Sequence, residues 1–203
     1  MKIICIGRNY AEHAKEMNAA VPTEPVFFLK PDTALIKDDQ PFYYPDFSKE
    51  IHHEVELVLK INKAGKNIDP AFAHKYYDEI GIGIDFTARD IQAKCKEKGL
   101  PWEKAKAFDG SAPIGNFIQK TELANIADIN FHLTVNGKEV QKGTTKDLLF
   151  SFDAVIAYVS KFFTLKTGDL IYTGTPEGVG PVNIGDKLEA YIENKKLLSF
   201  EIK

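Results

Sequence analysis

Hydrophobic and polar residues alternate along much of this chain with the two-residue period of β-strands. The clearest case is Ile129 to Val135, where every second residue is apolar and falls on one face. Asn136-Gly137 follows directly and is a strong signal for a two-residue hairpin turn. The sequence therefore predicts that Lys138 to Lys142 returns as the partner strand.

Other apolar runs predict further strands. They are Lys2 to Ile6, Ile80 to Phe86, Leu170 to Tyr172, and a closing hairpin of Leu188 to Ile192 with Leu197 to Ile202. Helical spacing of apolar residues predicts helices over Tyr10 to Met17, Ala71 to Ile80, Thr87 to Gly99, and onward from Ser151 to Phe163. Asn9 and Thr87 are each expected to cap the following helix, with an acidic residue three positions on. The pattern is that of an α+β protein rich in strands.

The segment Ile51 to Lys60 is predicted as one strand with two chemically different faces. Alternation places His52, Glu54 and Glu56 on one side, and His53 with the apolar residues on the other. Two carboxylates stacked on one face repel and raise each other's pKa. The face is therefore either a solvated acidic surface or half of a site for a divalent cation.

Composition limits the class of protein. The 203 residues are 44% hydrophobic and 27% charged, which fits one domain spanning 1–203 with a sizeable core. The net charge of -3, without a basic block, argues against nucleic acid as a partner. Cys5 and Cys95 are too few for a disulfide scaffold, which favours a cytoplasmic location. No apolar run is long enough for a signal peptide or a membrane span, so no membrane partner is expected.

Four more features carry candidate chemistry. His13 and Glu16, three residues apart, share a helix face and form either a general-base pair or a surface pair. Lys106 lies between two alanines, where a desolvated lysine is expected. Lys30 closes an apolar run and is either a functional cation or a snorkelling side chain. The glycine-rich segment from Thr173 to Pro181 either holds a substrate carboxylate or is a plain wide turn.

Taken together, five motifs resemble the fumarylacetoacetate hydrolase family in order and approximate spacing. They are Gly7-Arg8-Asn9-Tyr10, His52-His53-Glu54-Val55-Glu56-Leu57, Asp85 to Gln92, Lys104 to Asp109, and Gly168 to Pro176. Each motif is weak alone, and the set of five covers nearly the whole chain. The chain looks most like the short acylpyruvase/oxaloacetate decarboxylase branch of that family.

The resemblance implies a role for individual residues. Glu54, Glu56 and Asp85 match three carboxylates that hold Mg2+ or Mn2+. Catalytic roles fall on the dyad His13 and Glu16, in a lid helix within residues 1–20, and on Lys106. Substrate-binding positions are Arg8, Lys30, His52, Arg89, Gln92 and Thr175. Asp109 departs from related acylpyruvases, which have a small or hydroxyl residue there.

The resemblance also implies a fold and an activity. The expected fold is a mixed β-sandwich roll or barrel with short helices, assembled as a homodimer. The expected activity is metal-dependent cleavage of a carbon–carbon bond in acylpyruvate-type 1,3-dicarbonyl acids, with oxaloacetate decarboxylation as a second reaction, so the partner is a small 2-oxo acid. The alternatives are an isomerase or tautomerase of unsaturated 2-oxo acids and a metal-binding domain without catalysis.

Overall fold

Three β-sheets form the framework of the protein in the computed structural model, which describes residues 1–17 and 20–203. The described strands are β1 Ile3–Gly7, β2 Val26–Lys30, β3 Leu35–Ile36, β4 Ile51–His53, β5 Val55–Ile61, β6 Tyr77–Ile84, β7 Thr87–Ala88, β8 Ala112–Gln119, β9 Asn130–Val135, β10 Lys138–Thr144, β11 Leu170–Tyr172, β12 Gly180–Pro181, β13 Lys187–Ile192 and β14 Lys195–Glu201. The described α-helices are α1 Ala11–Glu16, α2 Pro70–Ala73, α3 Arg89–Lys98, α4 Glu103–Lys106 and α5 Phe152–Val159.

The largest sheet has the order β2-β1-β11-β5-β6-β8-β3, and it curls into a half-barrel. A second sheet has the order β10-β9-β13-β14, and a small third sheet joins β12, β4 and β7. The expected strand-rich α+β fold with short helices is thereby confirmed. Within the described ranges, no helix combines the length and the apolar character needed to cross a membrane.

Both predicted hairpins are confirmed. Asn136 and Gly137 adopt φ of 53° and 78° between β9 and β10, as a turn with two left-handed residues requires. The strands β13 and β14 form the closing hairpin. The alternation of apolar and polar residues predicted these strands correctly because one face of each hairpin packs on the core. Phe131, Leu133 and Leu188 on that face are at most 1% exposed.

The helix after Ser151 is confirmed but shorter than predicted. The Ser151 hydroxyl accepts a hydrogen bond from the N–H of Ala154, and the buried face of α5 includes Val155 and Ile156. The helix ends at Val159, so Phe162 lies beyond it and is 53% exposed. The apolar spacing continued past the point where the helix stops.

The predicted helix over Ala71 to Ile80 is wrong for most of its length. Asp69 caps α2 and Pro70 begins it, but the helix ends at Ala73 and the strand β6 starts at Tyr77. Since β6 pairs with β5 on one side and β8 on the other, its ladder of backbone hydrogen bonds outweighs a weak helical spacing.

Both predicted N-caps are also wrong. Thr87 lies in β7, where it pairs with His52 of β4, and α3 begins only at Arg89. Its predicted partner Asp90 accepts a hydrogen bond from Ser48 instead. The side chain of Asn9 bonds backbone groups of Phe150 and Thr173. In each case a distant segment outcompetes the local cap.

The predicted strand Ile51 to Lys60 is two strands, interrupted at Glu54. The first part, β4, pairs with β7 and β12, whereas β5 lies between β11 and β6 in the large sheet. Glu54 is therefore the point at which the chain passes from one sheet to another. His52 and Glu56 end up in different sheets instead of on one continuous face.

Candidate metal centre and active site

Three buried carboxylates meet where β5 and β6 lie side by side. One carboxylate oxygen from each of Glu54, Glu56 and Asp85 lies within 4.8 Å of the other two. The register pairs Val55 with Ile84, and the N–H of Asp85 donates to the carbonyl of Glu54 at 2.8 Å. Antiparallel pairing thus places Asp85 beside Glu54, and the two-residue period of β5 places Glu56 next to them.

Three basic side chains neutralise two of these carboxylates. Lys106 Nζ lies 2.8 Å from Glu54 Oε2 and 2.7 Å from Asp85 Oδ2. Arg89 Nη2 lies 2.6 Å from Glu54 Oε1, and Lys30 Nζ lies 2.8 Å from Asp85 Oδ1. Glu54 and Asp85 therefore each contact two cations.

Glu56 contacts no basic side chain within residues 1–17 and 20–203. Its hydrogen bond within the described part of the chain comes from the N–H of Gly174, at 2.7 Å. Burial, and then the neighbouring Asp85 carboxylate, hold the pKa of Glu56 well above its ordinary value. Burial also raises the pKa of Glu54, but Lys106 and Arg89 outweigh it and keep that pKa well below the ordinary range.

The donor set fits a hard divalent cation. All three side chains offer carboxylate oxygen, the ligand that Mg2+ and Mn2+ prefer. A cation beside Glu56 would supply the positive charge that this buried carboxylate lacks. Lys30, Arg89 and Lys106 already offset the charges of Glu54 and Asp85, so Glu56 is the buried carboxylate for which a bound cation would matter most.

A narrow cavity of ≈ 40 Å³ opens onto the carboxylates. Its lining includes nine of the predicted site residues: Arg8, His13, Glu54, Glu56, Asp85, Arg89, Gln92, Lys106 and Thr175. Further lining comes from Phe28, Lys96 and Trp102, among others. Such a volume holds a few water molecules.

Lys106 is buried, as its alanine neighbours predicted. It ends α4 and is 3% exposed. Burial lowers the pKa of Lys106, but Asp85 and Glu54 outweigh burial, so the net direction is upward. The ammonium therefore stays protonated and serves as a fixed positive charge and hydrogen-bond donor.

His13 and Glu16 share a face of α1, as their spacing predicted. His13 Nδ1 lies 3.2 Å from Glu16 Oε2, and His13 is 6% exposed. The Glu16 carboxylate also accepts the N–H of Gly178, which lies in the glycine-rich segment. The imidazole is thus held at Nδ1 and keeps Nε2 for other partners.

Lys30 and His52 do not line the cavity. The Lys30 side chain has no exposed area and donates to the carbonyls of Phe86 and Ser111 as well as contacting Asp85. It is therefore a buried cation and not a snorkelling one. His52 lies beyond the interruption at Glu54, where its Nε2 is 3.1 Å from a carboxylate oxygen of Glu50. The break in the strand explains why His52 does not share the face of Glu56.

Asp109 also lies outside the cavity lining. Its Oδ1 accepts a hydrogen bond of 2.7 Å from the hydroxyl of Thr33. Lys106, three residues earlier, bonds Glu54 and Asp85 instead. The structure thus pairs Asp109 with the segment between β2 and β3, and not with Lys106.

Two residues at the site were missed from the sequence. Lys96 lies seven residues after Arg89 and four after Gln92, on the same face of α3, so helical spacing could have identified it. Gln141 is 2% exposed, and it bonds Thr175 from β10. In the sequence it stands in a polar hairpin strand and looks like a surface residue, so no local signal marks it.

Known proteins resemble this chain over nearly its full length. The family model described as fumarylacetoacetate (FAA) hydrolase C-terminal matches residues 2–202. Oxaloacetate tautomerase YcgM of Escherichia coli (strain K12) is 45% identical over 197 residues, covering 97% of this chain and 90% of the relative. The mouse (Mus musculus) oxaloacetate tautomerase FAHD1, mitochondrial, is 44% identical over 201 residues, covering 99% and 91%.

A solved structure shares the fold. It is described as fumarylpyruvate hydrolase from Pseudomonas aeruginosa in complex with Mn2+ and pyruvate, and it matches with a TM-score of 0.94 and 37% identity. The match covers 100% of this chain and 89% of that one. With the family match over residues 2–202, these similarities show that the chain belongs to the fumarylacetoacetate hydrolase family.

Proposed function

We propose that this chain is a Mg2+- or Mn2+-dependent enzyme that interconverts the keto and enol forms of a 2-oxo acid, with oxaloacetate as the substrate. The observation that carries the proposal is a cavity in which His13 and the buried Lys106 face the same group of three carboxylates. An acceptor for a carbon-bound proton and a fixed positive charge are the groups that enolisation needs. The names of the Escherichia coli and mouse relatives support the choice of reaction.

Glu54, Glu56 and Asp85 would hold the metal. When bound, a divalent cation supplies Lewis acidity that polarises the 2-oxo carbonyl of the substrate. Glu56 lies in β5, Glu54 directly precedes that strand, and Asp85 directly follows the end of β6, so strand pairing brings the three side chains together. The Mn2+ named with the Pseudomonas aeruginosa structure supports the choice of metal.

His13 and Lys106 divide the remaining chemistry. His13, oriented by Glu16 at Nδ1, takes the proton from the carbon beside the carbonyl at Nε2. Lys106, kept protonated by Glu54 and Asp85, stabilises the negative charge that develops on the oxygen. The carbon–hydrogen bond breaks, and an oxygen–hydrogen bond forms when a proton returns to the oxygen. The net change moves one proton and consumes nothing.

The basic residues in the cavity lining favour a substrate with two carboxylates. Arg8, Arg89 and Lys96 all line it. Burial, then the charges of Arg89 and Arg8, lower the pKa of Lys96. Thr175 and Gln92 add polar contacts at the same cavity, and we assign substrate binding to this set. Lys30, a substrate-binding position by family resemblance, is assigned instead to holding Asp85.

Hydrolysis of a carbon–carbon bond in an acylpyruvate is the second candidate reaction. The dyad of His13 and Glu16 favours it, because an imidazole held by a carboxylate can take a proton from an attacking water. Oxaloacetate decarboxylation needs the metal carboxylates but no attacking water. A His13→Ala variant should therefore lose hydrolysis while keeping decarboxylation.

A single set of assays separates these reactions. Enol-oxaloacetate absorbance is followed with protein and Mg2+ or Mn2+, next to metal alone and protein with EDTA, and acetylpyruvate loss is followed in parallel. We expect metal-dependent tautomerisation well above the metal-only rate. Acetylpyruvate cleavage without faster tautomerisation would move hydrolysis to first place. The absence of both reactions with either metal would overturn the proposal.

The assembly and movement of the enzyme form further parts of the proposal. We propose that residues 1–203 act as one catalytic domain, that α1 serves as a lid over the narrow cavity, and that the chain forms a homodimer. Light scattering after gel filtration measures the mass and tests the dimer.

We also propose a cytoplasmic location, which rests on the free cysteines Cys5 and Cys95, and cell fractionation tests it.

A further inference from the structure

The buried side chain of Gln141 joins three separate segments around the carboxylates. Its Oε1 lies 3.0 Å from the N–H of Val55 and 2.8 Å from Nδ1 of His53. Its Nε2 lies 2.9 Å from Oγ1 of Thr175 and 3.0 Å from the carbonyl of Pro176. Two bonds at the oxygen and two at the nitrogen use the full hydrogen-bonding capacity of the amide.

Two backbone groups fix the orientation of this amide. The N–H of Val55 only donates, so it must face the amide oxygen of Gln141. The carbonyl of Pro176 only accepts, so it must face the amide nitrogen. The usual ambiguity between the oxygen and nitrogen of a glutamine is therefore resolved by its neighbours.

The fixed amide determines the direction of the Thr175 hydroxyl. Because Nε2 of Gln141 donates to Oγ1 of Thr175, the hydroxyl hydrogen must point elsewhere. Within residues 1–17 and 20–203 that hydroxyl donates to no acceptor, although Thr175 is 2% exposed. Thr175 lines the cavity above the carboxylates. A buried donor without an acceptor is costly unless a ligand supplies one.

We propose that Gln141 is a positioning residue that commits the Thr175 hydroxyl to donate to the carboxylate of the bound 2-oxo acid. This inference rests on the proposed function, since it names the ligand group that Thr175 meets. Gln141 itself touches no substrate. It acts by occupying the acceptor side of Oγ1, which leaves the hydrogen available to an anion in the cavity.

Gln141 also bonds the residues on both sides of Glu54, through the side chain of His53 and the backbone N–H of Val55. His53 precedes that ligand and Val55 follows it, and both bond the same amide oxygen. With Oε1 as the acceptor, His53 carries its hydrogen on Nδ1. One side chain therefore links the segment around Glu54 to the loop that carries Thr175.

Pyruvate binding to the Mn2+-loaded protein tests the inference. In Gln141→Glu the new carboxylate has the same length but cannot donate, so the Thr175 hydroxyl turns to donate to it and is lost to the ligand. We expect the pyruvate Kd, measured by calorimetry, to rise by about 10- to 100-fold. The Mn2+ Kd, measured by electron paramagnetic resonance, should change by less than about 3-fold, because the three ligand carboxylates are intact.

Two comparisons separate positioning from a purely structural role. Thr175→Val should weaken pyruvate binding by a similar factor, and Gln141→Glu should add little in the Thr175→Val background. Gln40→Glu, at an exposed position, makes the same charge change and should have no effect. Gln141→Met adds no charge and serves if Gln141→Glu does not fold. It should raise the Kd about 3-fold or more, again only when Thr175 is present.

The outcomes distinguish this inference from the proposed function. Failure of the unaltered protein to bind pyruvate with Mn2+ overturns this inference, whereas the proposed function is overturned only by the absence of both reactions in the assays described above. Normal pyruvate binding by the unaltered protein together with an unchanged Kd in Gln141→Glu overturns only the role of Gln141. Equal losses of pyruvate and Mn2+ affinity, or losses that add fully to those of Thr175→Val, also overturn it, because they indicate general damage.

Discussion

The N–H of Gly178 donates to the carboxylate of Glu16, at 3.1 Å to Oε1 and 3.3 Å to Oε2. The same carboxylate holds the imidazole of His13, so one acidic side chain orients the base and fastens α1 to the glycine-rich loop. Gly178 has φ of 91°, and a Cβ there would lie 2.5 Å from the carbonyl of Val140. Only glycine fits this position without a shift of the backbone.

Truncation of Glu16 should therefore impair catalysis without impairing binding of the metal. We expect Glu16→Ala to lower kcat for oxaloacetate tautomerisation by about 100-fold, since His13 loses both its orientation and its negative partner. The kcat of Glu16→Gln should lie between those of Glu16→Ala and the unaltered protein, because the new amide oxygen can accept a hydrogen bond from either His13 or Gly178. Glu12→Ala, on the exposed side of the same helix, is the control. Equal kcat values for the Ala variants at positions 12 and 16 would contradict the role of the dyad.

Neutralising Glu56 should remove the metal and stabilise the metal-free protein. The raised pKa of Glu56 means that the ionised side chain opposes folding. The contribution of Glu56 to the stability of the folded protein is therefore fully present below the ordinary pKa of 4.5, and it is lost as pH rises through the raised pKa. In EDTA, Glu56→Gln should thus have the higher Tm at about pH 8, with a smaller difference at about pH 5, where less of the carboxylate is ionised.

The control for this experiment is Glu79→Gln, which changes a surface partner of Lys60. With Mn2+ present, the unaltered protein should instead have a higher Tm than Glu56→Gln, because only the unaltered protein binds the ion tightly. Electron paramagnetic resonance should show at least about 100-fold weaker Mn2+ binding in Glu56→Gln. A Tm difference in EDTA that stays the same at both pH values would show that Glu56 is not the group responsible.

The three carboxylates could be found from the sequence because local spacing contains much of the information. Glu54 and Glu56 are two residues apart, and the motif containing Asp85 follows in the order of the family that the chain resembles. The two-residue period correctly separated Glu56 from the apolar residues Val55 and Leu57. The hairpin at Asn136 was equally local, since its turn requires particular residue types.

The remaining features depend on contacts between distant segments. The interruption at Glu54 arises because β4 pairs with β12, whose residues begin at Gly180. Asn9 is a plausible cap by its neighbours, yet its side chain satisfies the backbone near Phe150. Gln141 is polar in a polar strand, and only the arrangement of the sheets buries it. Local pattern carries no information about such pairings.

Lys96 should distinguish substrates with two carboxylates from those with one. We expect Lys96→Met to raise KM for oxaloacetate by about 10-fold while the pyruvate Kd changes by less than about 2-fold, because pyruvate has no second carboxylate to meet this ammonium. The lowered pKa of Lys96 adds a pH effect. The side chain is charged below that pKa, so KM should rise toward alkaline pH in the unaltered protein and stay flatter in Lys96→Met.

A suitable control is Lys94→Met, which removes an exposed charge from the same helix. It separates a local contact from a general loss of positive charge, since both variants change the net charge equally. Equal increases in the oxaloacetate KM and the pyruvate Kd for Lys96→Met would assign this residue to the first carboxylate instead. A pH profile of KM that is unchanged by the substitution would remove Lys96 from the binding site.

Replacement of Lys30 should be among the most destabilising changes in the metal-free protein. Its side chain is 0% exposed and pairs with Asp85, so Lys30→Met leaves that buried carboxylate with Lys106 as its one remaining cation. Loss of one partner of a buried pair costs about 3 kcal/mol or more, measured as the free energy of unfolding in urea. Lys60→Met breaks a partly exposed pair with Glu79 and should cost less than about 1 kcal/mol. Mn2+ should return part of the stability lost in Lys30→Met, because the ion supplies positive charge beside Asp85. An equal loss of stability with and without Mn2+ would show that Lys30 supports the fold independently of the metal centre.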